Sequence, residues 1–180
     1  AQPLRGGLAC PNVTVQSTVC EAEYQAFDPT NVTAVVTANI STVQQAGDTV
    51  QLYFNVSNDG RGLATKANVT AVASSASFDL LDAVQYTVVV NSSASNTHTL
   101  TAQSAPALFS FVIDELPAGS YVVATATVRL TETVTAGEAL TFSVEATWYS
   151  NPCFESDLRY DDTTSTIRGA LDVEIGRAHV

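Results

Sequence analysis

Apolar and polar residues alternate with a period of two along most of this chain. Val50, Leu52, Phe54 and Val56 share one parity, while Gln51, Tyr53, Asn55 and Ser57 share the other. In a strand, successive side chains point to opposite faces, so this pattern predicts a half-buried strand. Asn58-Asp59-Gly60 interrupts it with residues that tolerate turn conformations. A second run follows, with Ala67, Val69, Ala71 and Ala73 set against Lys66, Asn68 and Thr70. The stretch Ala46–Ala73 is therefore expected to be a hairpin and the central strand pair of the fold.

The same alternation recurs on either side. Val32, Ala34, Val36, Ala38 and Ile40 mark one face of a strand spanning Asn31–Ser41. Leu80–Val90, Thr97–Gln103, Leu108–Ile113, Tyr121–Thr133 and Leu140–Tyr149 are expected strands of the middle and later chain. In the last of these, Phe142, Val144, Ala146 and Trp148 share a parity, and Trp148 is the expected core anchor once its indole N–H finds a partner. Two shorter alternating pieces lie near the termini, Asn12–Val19 and Ile167–Val173. No segment supports a helix longer than a turn or two. Short strands punctuated by turns every 8–12 residues point to an all-β sandwich or barrel.

Composition agrees with the pattern. The chain of 180 residues is 46% hydrophobic and 14% charged, so it can build a core and is not a disordered polyelectrolyte. A formal charge of −11 with seven basic residues argues against a phosphate-tracking nucleic-acid binder and against binding to an anionic membrane surface. No apolar run approaches the length of a membrane-spanning helix. The chain contains no Met, so its natural start is expected to lie elsewhere and the lack of a secretory signal is uninformative. Expected divisions are an N-terminal strand segment (1–29), a sandwich (30–151), an acidic connector leading into a further strand (152–174) and a non-native tail (175–180).

Three turns share a form and each leads into a strand: Ala46-Gly47-Asp48, Ala118-Gly119-Ser120 and Ala136-Gly137-Glu138. Together with Asn58-Asp59-Gly60, Ala64-Thr65 with Asn68-Val69, and Leu116-Pro117-Ala118-Gly119, they resemble the Ig-like repeat of surface proteins related to the bacterial cell-adhesion-related domain. The resemblance covers about Asn31 to Asn151 and rests on turn punctuation rather than chemistry. It implies an Ig-like β-sandwich of about seven to nine antiparallel strands with extra terminal strands. Such repeats serve as stalks, adhesins or sheath components. The cysteines and dense glycosylation sequons depart from bacterial members and suggest a glycosylated, eukaryotic-type relative.

Six of the nine asparagines begin Asn-x-Ser/Thr sequons: Asn12, Asn31, Asn39, Asn55, Asn68 and Asn91. Ser and Thr are 39 of 180 residues, a content that would place about two asparagines so by chance, given how short the motif is. Each sits on the polar parity of its strand, or at a strand end for Asn91, where an acceptor must face solvent. Covalent N-glycans are expected, and no other cofactor. Sequons imply an oxidising route, so Cys10, Cys20 and Cys153 are disulfide candidates. Cys10–Cys20 and Cys20–Cys153 are both open, a pair involving Cys153 is favoured, and one Cys is left for a missing segment or another subunit.

Chemistry finds little support. His98 reads as an exposed strand residue, with no G-x-S-x-G turn to accompany it. Asp114, Glu115, Glu155, Asp157, Asp161 and Asp162 read as solvated acidic loops rather than a Ca²⁺ site, which needs six to eight converging oxygens. No C-x-x-C supports zinc. The expected protein is not an enzyme. It is an extracellular or cell-surface structural subunit that self-associates into a filament or tandem array by lending a terminal strand to a neighbour. The alternative is an adhesin-like repeat binding carbohydrate or protein.

Overall fold

The computed structural model describes residues 30–40, 43–149 and 165–176. Its strands in chain order are β1 (Val32–Ala38), β2 (Thr49–Asn58), β3 (Ala64–Ala73), β4 (Phe78–Leu80), β5 (Gln85–Val90), β6 (Ser93–Ala94), β7 (His98–Thr99), β8 (Ala107–Leu116), β9 (Tyr121–Leu130), β10 (Ala139–Tyr149) and β11 (Ser165–Glu174). The first sheet runs β1-β2-β9-β5-β6, with β4 also on β9 and β7 also on β5; the second runs β11-β10-β3-β8. All strand pairs are antiparallel. The result is a two-layer β-sandwich, and its eight longer strands fall within the expected seven to nine.

The parities read from the sequence are the inward faces. Val50, Leu52, Phe54 and Val56 of β2 are buried, as are Val122, Ala124, Ala126 and Val128 of β9. From the second sheet come Ala67, Val69 and Ala71 of β3 and Phe142, Val144 and Ala146 of β10. The many inward alanines leave room for a few large rings. Phe54 meets Phe109 edge-on at 5.0 Å, and Phe78 meets Phe142 at 5.7 Å. Each such buried ring contributes about 1.5–3 kcal/mol relative to exposure. Trp148 is 6% exposed, and its Nε1–H donates to Thr30 Oγ1 at 3.0 Å, which supplies the partner a buried indole requires.

Ala46–Ala73 is not a hairpin. β2 pairs with β1 and β9, whereas β3 pairs with β10 and β8 in the other sheet. Residues 59–63 turn a corner between layers. Alternation reports which face a residue takes but not which strand lies beside it, and a short connection spans the ~10 Å between sheets as readily as it closes a hairpin. Leu80–Val90 also divides, into β4 and β5, and only His98–Thr99 of the expected Thr97–Gln103 strand is paired as β7.

Asn58 makes the corner. It is fully buried, and its Nδ2 donates to Gly62 O at 2.8 Å and Leu116 O at 2.9 Å. Its Oδ1 accepts from Gly60 N at 3.1 Å and Asn31 N at 3.4 Å. Its main chain pairs with Ser120 O and Gly119 N, at 2.9 and 2.8 Å. One amide thus joins the β2–β3 corner to the β8–β9 corner and to the start of β1.

The sandwich closes on the side where β1 and β11 meet. A Cβ on Gly169 of β11 would lie 2.2 Å from Ala34 O of β1, so the glycine that reads as a gap in the sequence pattern permits contact between the two edges. Beyond it, Gln44 forms a parallel bridge with Ile175, and Gly176 N donates to Gln44 O at 2.7 Å. Val173 and Ile175 are core residues. The Ile167–Val173 strand therefore lies within this sandwich, and so does Ile175, the first residue of the stretch set aside above as a tail.

Two substitutions test these contacts. Asn58→Ala strips two buried carbonyls of their donor and is expected to cost about 2–4 kcal/mol in urea unfolding, whereas Asn96→Ala, in the exposed connection between β6 and β7, should stay within about 0.5 kcal/mol of the parent. Gly169→Ala sets a methyl against a main-chain carbonyl and is expected to cost about 1–3 kcal/mol by the same measurement.

Candidate functional site: outer faces and edges

The sandwich exposes two sheet faces, two sides and two ends. The sequon asparagines fall on the faces and ends. Asn55, on β2, points out of the first sheet between Val35 and Val123; Asn68, on β3, points out of the second between Thr147 and Val112. Asn31 and Asn39 flank β1, and Asn91 begins the turn after β5 with φ +51°. All five are exposed, as the strand parities of Asn31, Asn39, Asn55 and Asn68 and the strand-end position of Asn91 predict, while Asn58, which begins no sequon, is the buried corner residue. Asn12 lies outside the described residues.

Apolar residues accompany the two mid-sheet sequons. Val35 is 50% exposed directly opposite Asn55, and Val112 is 55% exposed directly opposite Asn68. Directly opposed Cβ atoms lie about 4.5–5.5 Å apart, within reach of a group attached to the asparagine.

The two sides differ. β1 and β11 are locked together through Gly169, as described. On the other side the gap between the sheets is filled by rings. His98 of β7 stacks on Tyr86 of β5 at 4.8 Å, Tyr86 on Phe111 of β8 at 4.0 Å, and Phe111 on Phe109 at 5.5 Å. This row runs from an exposed histidine to the central Phe54–Phe109 pair. β5 is partly flanked by β6 and β7, but β8 has a strand neighbour, β3, on one side only among the described residues. Neither the closed side nor the aromatic row could be read from alternation, because both depend on which strands end up at the sheet edges.

The candidate residues for chemistry that fall among the described residues lie apart. His98 is exposed and engaged with Tyr86. Asp114 receives a hydrogen bond from Lys66 Nζ at 2.6 Å on an open surface, a pair of the kind worth little in water. Among the described residues, no group of three or more His, Cys, Asp and Glu side chains could hold a metal ion. Cys10, Cys20 and Cys153 lie outside the described residues, as do Glu155, Asp157, Asp161 and Asp162. An open cleft of about 410 Å³ lies at the end opposite Asn58, lined by Phe78–Ala83 and by Ala102, Gln103 and Ala105.

No protein-family model matches the sequence, and no curated protein matches it. Solved structures do match in fold. A 35 kDa C-terminal fragment of GBS80, the major pilin of Streptococcus agalactiae, superposes with a TM-score of 0.57 at 9% identity, covering 81% of this chain and 56% of that one. A variant of BcpA, the major pilin subunit of Bacillus cereus, gives 0.53 at 8% identity, covering 82% and 40%. The collagen-binding domain of a Staphylococcus aureus adhesin is more distant, at 0.45 and 10% identity over 78% and 99%. The chain thus spans about half the length of the pilin chains it matches. Its fold is an all-β, Ig-like sandwich of the kind found in bacterial pilins.

Glycan mapping tests the outward sequons. In material from a eukaryotic secretory host, enzymatic deglycosylation in heavy-oxygen water followed by peptide mass spectrometry should label Asn31, Asn39, Asn55, Asn68 and Asn91 and leave Asn58 unlabelled. Unlabelled Asn55 and Asn68 would refute glycosylation of the sheet faces.

Proposed function

We propose that this chain is a structural subunit of an extracellular, N-glycosylated fibre or appendage, joined to its neighbours by β-strand addition. The observation that carries the reading is the division of the surface. Each sheet presents an exposed sequon asparagine on its outer face, and among the described residues the second sheet ends in a strand, β8, with a neighbour on one side only. Glycans at Asn55 and Asn68 would cover Val35 and Val112 and bar face-to-face packing of sheets. Contacts between subunits are then left to edges and ends, where a strand edge offers unpaired N–H and C=O groups. The sandwich fold of major pilins supports the reading, since such a domain can serve as the repeating body of a fibre.

The partner is another copy, the setting is the cell surface or beyond, and the chain performs no catalysis. Disulfides among Cys10, Cys20 and Cys153 would hold terminal segments to the body or to the next subunit. Electron microscopy of native material tests the proposal. A uniform helical filament with one sandwich per repeat is the expected result, and isolated monomers at high concentration would overturn it. Saturable binding of those monomers to a glycan array, centred on the cleft at Phe78–Ala83, would favour an adhesin-like binding repeat instead.

A further inference from the structure

We infer that the edge which accepts the added strand is β8, and that the strand it accepts is Val13–Val19 of a second copy; this rests on the fibre reading above. Four strands compete for the acceptor role: β1, β11, β5 and β8. β1 and β11 obstruct each other, because β11 lies against Ala34 and the Gln44–Ile175 bridge seals the path beyond them. β5 is flanked at both ends by β6 and β7. β8 has β3 on one side and, among the described residues, nothing on the other. It is ten residues long, and its carboxylates, Asp114 and Glu115, fall in its last three positions.

Charge singles out the same side. The chain carries 18 acidic residues against seven basic ones, so two copies repel wherever these charges meet. From Ala83 to Ile113 there is no Asp, Glu, Lys or Arg at all. That stretch contains β5, β6, β7 and most of β8, the whole side sealed by the aromatic row. The closed side is charged instead, through Arg168, Asp172 and Glu174 of β11. Edges open to solvent are ordinarily protected by charge or by bulges that break pairing. On β8 the register shift lies near Ala107, leaving Phe109–Ile113 regular and uncharged.

The donor follows from what remains. β11 is already paired along its length with β10 and contributes Val173 to the core, so it is not free to lend. Before Thr30 stand 29 residues, and within them Gly6–Cys20 is likewise uncharged. Val13, Val15 and Val19 share one parity, against Asn12, Thr14, Gln16 and Thr18. Beside β8, the valines would face the inner side, next to Phe111 and Ile113. Asn12 would then face outward with Asn68, leaving its sequon in solvent. The ten residues from Cys20 to Thr30 can reach about 33 Å when extended, enough to leave one sandwich for the next. Donor and acceptor are different surfaces, so the contact is head-to-tail and propagates rather than closing into a pair.

Hydrogen exchange on the full glycosylated chain, as monomer and as filament, tests the inference. Amides of residues 107–116 that face away from β3 should slow at least tenfold on assembly. Val15→Asp in the full chain should keep the monomer's core protection and abolish filaments. The peptide Gly6–Cys20, with both cysteines replaced by serine, should restore protection at 107–116 when added to that variant. Protection gained instead at β1 or β11, or filaments formed normally by Val15→Asp, would overturn the assignment and leave the fibre reading standing. Concentration-independent protection of β8 in the dilute parent, lost in Val15→Asp, would mean that the chain's own segment covers the edge and would also overturn it. Absence of any filament from the parent would remove the fibre reading itself.

Discussion

The fold depends on one buried side-chain amide. β2 and β3 belong to different sheets, so the chain must leave one layer and enter the other within five residues, and Asn58 stands where it leaves. A buried polar group is costly unless its hydrogen-bonding capacity is met. Asn58 meets it with the carbonyls of Gly62 and Leu116 and the amides of Gly60 and Asn31. The partners come from two corners and the start of β1, so satisfying one residue fixes the relative height of the sheets at that end. A hydrophobic core is non-directional and would tolerate sliding. The amide supplies the direction.

Much of the fold was legible because burial in a sandwich is a parity property. The inward sets Val50, Leu52, Phe54, Val56 and Phe142, Val144, Ala146, Trp148 follow from alternation alone, and so does the outward setting of Asn55 and Asn68. What alternation lacks is any record of the partner strand. The run that turns at Asn58-Asp59-Gly60 reads as a hairpin because a hairpin and an inter-sheet corner use the same turn residues. Gly169 was visible as an interruption in β11, but its use against Ala34 depends on strands more than 130 residues apart meeting edge to edge. Edge status is likewise a property of the finished sheet, so alternation does not separate the closed side from the open one, although the strands of the open side lie mostly in the charge-free stretch Ala83–Ile113.

Faces and sides are specialised by different means. On the faces, exposed valines stand beside sequon asparagines, an arrangement that leaves apolar area open to water unless a sugar covers it. On the closed side, Gly169 removes its own side chain so that two edges touch. On the open side, aromatic rings bridge the sheets while β8, among the described residues, has a strand neighbour on one side only. A sandwich could be symmetric in all of this. That it is not gives the molecule a direction from one side to the other, which a repeating head-to-tail contact requires.

Energetics then bear on what an added strand would have to supply. Seven residues along β8 could form several main-chain hydrogen bonds, each worth about 0.5–1.5 kcal/mol net because water is displaced in exchange. Fixing a segment into a strand costs about 1–2 kcal/mol per residue in backbone entropy, so hydrogen bonds alone would not hold it. The balance must come from burying apolar side chains, and Val13, Val15 and Val19 are the ones that segment offers. A single carboxylate among them would add both a desolvation cost and repulsion within an already acidic assembly. Neutrality of the kind found from Gly6 to Cys20 and from Ala83 to Ile113 is therefore what such a contact would require in a chain of charge −11.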